Sequence, residues 1–96
     1  MRVELKKFGE ILVSRPDGRE AYLIMSAYLT KGLPESEVIE IDFSGVKVLA
    51  PGWADEVITK IARDFKNMKL INTANLSVSA TLKFLDEVNG YRLNIK

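Results

Sequence analysis

The stretch "EVIEIDFSGVKVLAPGWADEV", residues 37–57, decides the fold. Residues 38–43 form a dense apolar run broken only by Glu40 and Asp42, the pattern of a strand at the centre of a sheet. A Ser44-Gly45 pair then marks a turn, and Lys47-Val48-Leu49 leads through Ala50 to Pro51-Gly52. From there Trp53, Val57, Ile58, Ile61, Ala62 and Phe65 recur at helical spacing along one stripe, with Asp55, Glu56, Lys60, Arg63 and Asp64 away from it. Pro51 suits a first helical turn, because its φ is preset and its missing N–H would be unpaired there. Strand, turn and helix mouth therefore follow one another, and the polar side chains of Asp42 and Ser44 lie where the strand ends.

Outward from this segment, residues 2–6 alternate charged and apolar, placing Val3 and Leu5 on one face. Gly9-Glu10 can turn the chain, so Ile11-Leu12-Val13 is expected to pair back as the second strand of an N-terminal hairpin. Asp17 with Glu20 has the spacing of a helix cap, and the helix it opens runs to about Thr30, stopped by Gly32 and Pro34. Residues 22–29, "YLIMSAYL", contain a single polar side chain, which implies either burial between sheet and neighbouring helix or a face for a partner or second copy. Residues 69–73 read as a further strand. Asn75 or Ser77 caps a helix over 78–88, with Val78, Leu82, Leu85 and Val88 inward, and 91–95 reads as a last edge strand.

The order β-β-α-β-α-β-α-(β) predicts an α/β domain over residues 1–96. Its central sheet is mainly parallel, with the N-terminal hairpin at one end and helices packed on it through right-handed crossovers. In such sheets function gathers where the carboxyl ends of strands meet helix N-termini, which is where residues 42–53 fall.

Composition narrows the chemistry. A chain of 96 residues, 47% hydrophobic and 28% charged, suits one folded domain. At that length folding removes roughly 60–65% of the chain's surface from water. With 14 basic and 13 acidic residues the net charge is +1, so no nucleic-acid or acidic-membrane partner is implied. There is no cysteine and no histidine, which excludes disulfides, thiol chemistry, Cys/His zinc sites and imidazole acid–base catalysis. No phosphate-binding glycine loop occurs, and no cofactor is expected. Charges are scattered through the first fifteen residues and no apolar run there exceeds three, so neither a leader nor a membrane anchor is expected, and the default location is cytoplasmic.

The segment "IDFSGVKVLAPGWADEVI" resembles the core of STAS domains, the anti-sigma-factor-antagonist fold. It is closest to the bacterial and archaeal STAS-like domains of unknown function, in which Asp-Phe-Ser-Gly-Val leads to a helix carrying Ala-Asp-Glu. Asp42, Phe43, Ser44, Gly45 and Val46 match the strand end, Ala54-Asp55-Glu56 the triplet, and Ser14-Arg15 a Ser-Arg pair that precedes the first helix in those relatives. The resemblance implies a non-catalytic regulatory module that binds a protein partner, kinase-like or otherwise. Where antagonists place Asp-Ser-Ser-Gly, this chain reads Ala50-Pro51-Gly52-Trp53, so Gly52 stands at the phosphorylatable serine's position.

The expected partner surface comprises Asp42, Ser44, Lys47, Gly52, Trp53, Asp55 and Glu56. Several of these have a second reading. Asp42 and Ser44 can simply shape the turn through side-chain bonds to following amides. Ser44, Gly52 and Trp53 frame a helix mouth where a small ligand or anion, such as a nucleotide phosphate, could sit, although Asp55 and Glu56 already complement the dipole there. Trp53 either heads the core stripe or stands exposed as an aromatic anchor. A metal site from Asp42, Asp55 and Glu56 is not expected, since adjacent helical residues point about 100° apart. A third expectation is a homo-oligomer formed through residues 22–29.

Overall fold

The computed structural model describes residues 1–89. Among the described residues two parallel sheets are present: β1 (Arg2–Glu4), β3 (Val38–Asp42) and β5 (Asn67–Ile71) in the order β1-β3-β5, and β2 (Ile11–Leu12) beside β4 (Val48–Leu49). The chain is thus α/β with parallel strands and helices packed on them. Strand β3 holds the centre of its sheet, with Ile39 and Ile41 fully buried, as its apolar density requires.

The N-terminal hairpin does not form. After β1 the chain winds into a 3₁₀ turn (Leu5–Phe8) that drops Leu5 into the core, and Gly9 takes φ +134°. The two strands thereby part: Val3 pairs with Ile41, and Leu12 with Leu49. Each parallel partnership buries one face of its strands, with Val3, Leu12 and Leu49 in the core, whereas a hairpin between strands this short would gain little. The Lys47-Val48-Leu49 run, read as a connection, supplies β4. The final strand expected over 91–95 lies outside the described residues.

Helix α1 (Arg15–Ile24) continues through a π-wound segment, Met25–Leu29, to Thr30, and Gly32 follows with φ +79°. Its cap is Ser14, whose Oγ accepts the Asp17 N–H at 3.2 Å, and Pro16 occupies the first turn. Asp17 and Glu20 were expected to make this cap, and a residue three positions earlier makes it instead. Helix 51–64 consists of α2 (Pro51–Ala54), a π-wound segment (Asp55–Thr59) and α3 (Lys60–Asp64). It buries Trp53, Val57, Ile58 and Ile61, the stripe read from the sequence. Helix α4 (Leu76–Asn89) is capped by Asn75, which accepts the Val78 N–H, and buries Val78, Leu82 and Leu85. Val88, expected inward, is 62% exposed near the helix end, one turn beyond Leu85.

Residues 22–29 are not sandwiched between layers. Gly18, Ala21 and Met25 form the buried stripe of α1, while Leu23, Ile24 and Tyr28 project away from it into solvent. Gly18 marks the closest crossing, where a Cβ would lie 2.7 Å from the Trp53 carbonyl oxygen and 2.9 Å from its Cα.

Candidate functional site

Strands β2 and β4 run side by side in parallel, and each leads within a few residues into a helix. Helix α1 and helix 51–64 therefore start next to each other at the carboxyl end of this pair. Arg15, in the first turn of α1, reaches across: its Nη1 donates to Asp55 Oδ2 at 3.0 Å and to Glu56 Oε2 at 2.7 Å. Lys60 Nζ donates to the other Glu56 oxygen at 2.7 Å, and Arg19 Nε stands 3.6 Å from it. The Ser14-Arg15 and Ala54-Asp55-Glu56 matches, forty residues apart in sequence, are one ion-pair cluster in space.

Glu56 is buried, and an uncompensated carboxylate there would be costly. The hydrogen bonds from Lys60 and then Arg15 outweigh that burial and hold its carboxyl down at about 2. Because the folded form resists protonation, the unfolded chain binds more protons once pH falls below the ordinary value of 4.5, and stability declines from there toward pH 2. Urea titrations over this range should show that loss, and Glu56→Gln, already destabilised at neutral pH by its weakened cation contacts, should show a flatter profile. An equally steep profile in the variant would assign the acid sensitivity to other carboxylates.

Asp42 does different work. Its Oδ1 accepts the Ser44 N–H at 2.9 Å and the Asn72 Nδ2 at 2.8 Å, and these bonds, Asn72's first, lower its pKa. Asn72 adopts φ +59°, a left-handed conformation that asparagine tolerates, in presenting its amide. Val46 N–H closes a turn onto the Phe43 carbonyl, with Gly45 at φ +83°, as a type II turn demands of its third residue. Asp42 is thus buried as the pivot of the turn, and Ser44 is left with its side chain exposed.

The outer edge of β4 is closed by α4. Ser77 Oγ accepts the Leu49 N–H at 3.0 Å, and Thr81 Oγ1 donates to the Leu49 carbonyl at 2.6 Å. The loop of residues 43–50 is fixed from both ends.

The structure divides the sequence-derived site residues into two groups. Ser44 and Lys47 are exposed, with Gly45, Val48 and Pro51 exposed among them, and Gly52 and Asp55 are half-buried. Trp53 is 1% exposed and belongs to the core, so its indole is unavailable as a surface anchor. Asp42 and Glu56 are buried and hydrogen-bonded, with separate partners. A Cβ on Gly52 would meet Arg15 Cβ at 3.5 Å, ordinary contact, so packing does not require glycine at this position. Arg15, Lys60 and Asn72 are the residues that site-directed reading of the sequence left out. A signal for Arg15 was present in the complementary charges of the Ser-Arg pair and the Ala-Asp-Glu triplet.

A family model described as a STAS-like domain of unknown function matches residues 26–81, more than half of the chain. The protein belongs to this family. The match spans β3, β4, helix 51–64, β5 and the opening of α4, and it begins after Arg15. No match is found among curated proteins or solved structures. Among the described residues no helix is long and apolar enough to cross a membrane.

Proposed function

We propose that this chain is a non-catalytic regulatory module that docks a protein partner on the exposed strip of residues 44–51 and the adjoining Asp55, without a phosphate switch at Gly52. The observation that carries the reading is the way this strip is held. Asp42 fixes the Ser44 amide, α4 fixes Leu49, and Arg15 clamps Asp55 and Glu56 behind it. A surface so preorganised loses little conformational entropy on binding. The STAS-like family membership supports a regulatory role, and the residue types support docking over catalysis, since no activated nucleophile or imidazole base stands on the strip. The ligand-sensor alternative is less well supported: the cavity that reaches Trp53 measures about 200 Å³, below the roughly 300–1,000 Å³ of small-molecule sites.

Affinity capture with the tagged chain tests the reading. A Ser44→Glu/Lys47→Glu variant, altered only at exposed positions, should keep its stability and lose the specific partner recovered by the natural chain. Undiminished recovery would remove this strip as the docking surface.

A further inference from the structure

The two edges of the β2–β4 pair are treated differently. The outer edge of β4 is closed by Ser77 and Thr81, whereas β2 has no described strand or side-chain cover along its outer edge. The Glu10 and Leu12 carbonyls accept from Val48 and Ala50, so the N–H and carbonyl of Ile11 and the N–H of Val13 point away from β4, while the Val13 carbonyl lies near Gly52. Proteins commonly blunt such an edge with lysine, proline or a covering loop. Here Ile11 is 64% exposed and Val13 47%, an apolar edge that no described strand pairs.

Beside it lies the cavity of about 200 Å³. Its apolar lining comes from Phe8, Ile11 and Leu12, from Ala21 and Ile24 of α1, and from Trp53. Asp17 and Glu20 also line it, and neither enters an ion pair among the described residues. An apolar slot of side-chain size, two carboxylates without an ion-pair partner among the described residues, and outward peptide groups of Ile11 and Val13 that no described strand engages are thus close together.

We propose that the outer edge of β2 and this groove bind an extended peptide segment of a protein partner, one that alternates apolar with basic side chains. The segment would add as a strand to Ile11 and Val13, seat one apolar side chain in the groove and present lysine or arginine to Asp17 and Glu20. Main-chain pairing supplies affinity in such strand addition, and alternate side chains supply specificity. A second copy of this chain suits the edge less well, since it would bring another Asp17 and Glu20 to a face already acidic. The surface is separate from residues 44–51 and goes beyond the function proposed for them.

The test uses two probes: acetyl-Val-Arg-Leu-Lys-Val-amide, and its counterpart with glutamate at both basic positions. Trp53 fluorescence and amide chemical-shift mapping are the readouts. The basic probe should bind saturably with a Kd at or below about 1 mM, move the amides of residues 10–14 and 17–24, and weaken with added salt, while the acidic probe does not bind. Asp17→Lys/Glu20→Lys should weaken the basic probe about 10-fold or more. Val13→Pro removes only an outward-facing donor and should abolish binding in a chain that remains folded. Ser44→Glu alone, which keeps the Lys47–Glu10 ion pair beside β2 intact, should leave probe binding unchanged, which separates this surface from the other one. Equal binding of both probes, no response to the two edge variants, shifts confined to residues 44–55, or no saturable binding by about 1 mM would each overturn the proposal. So would a stable dimer, seen by sedimentation, that the basic probe does not displace.

Discussion

Trp53→Ala is expected to lower the free energy of unfolding by about 3–5 kcal/mol, the range for removing a buried aromatic side chain and leaving a cavity. Trp53 is 1% exposed and heads the stripe of helix 51–64, under α1, so the hole would lie between two helices that cannot both collapse into it. Small domains have about 5–15 kcal/mol in total, so the variant would sit near unfolding. Urea denaturation should show the midpoint falling steeply for alanine and much less for Trp53→Phe, which keeps most of the volume. A loss below about 1 kcal/mol for the alanine variant would mean that the indole is not packed as described. The size of the effect also governs how binding data are read: a partner lost with Trp53→Ala reports on the core before it reports on any interface.

Gly18→Ala is expected to act against the usual sign. Alanine in place of glycine inside a helix ordinarily stabilises by about 1 kcal/mol. At this position the new methyl group would stand 2.7 Å from the Trp53 carbonyl oxygen, and backbone, unlike the end of a flexible side chain, cannot step aside. Overpacking of this kind costs about 1–3 kcal/mol, enough to offset the helical gain and leave a net loss. Gly52→Ala is the internal control, since the Cβ there meets only ordinary contacts and no comparable loss should appear. Thermal melts of the two variants side by side make the comparison. A stabilised Gly18→Ala would show that α1 can shift away from helix 51–64 at little cost, and the Arg15 cluster would then be a looser clamp than its distances imply.

The parts of the fold legible in the sequence are those whose information is local. The apolar density of residues 38–43 put β3 at the centre of its sheet, the stripe from Trp53 to Phe65 gave helix 51–64 its buried face, and Asn75 opened α4. Partnership between distant short strands is not local. Two apolar runs separated by Gly9-Glu10 look like a hairpin from within, and only the burial of Leu5 in a 3₁₀ turn sends them to different sheets. The same limit applies to the site. That Asp42 ends a strand could be read directly, and its Asx turn was one of the two readings open to it. The role of Arg15 is not set by its own stretch of sequence, because the carboxylates that it bridges lie forty positions on, and only the pairing of the Ser-Arg and Ala-Asp-Glu motifs pointed to it. Burial of Trp53 required knowing that Gly18 lets α1 approach its backbone, a fact about two helices at once.

Parallel pairing throughout has a kinetic consequence. Val3 waits for Ile41, Leu12 for Leu49, and Ile41 for Leu70, so every strand pair closes a long loop before it gains a hydrogen bond. With no hairpin among the described residues to nucleate a sheet, folding is governed by high contact order and should be slow beside a helical bundle of equal length. As the chain leaves the ribosome, its first half can wind α1 but can complete no sheet until β3 and β4 have emerged. Until then β2 lacks β4 beside it and helix 51–64 behind it, which leaves β1 and β2 exposed to misassociation longer than any other described strand.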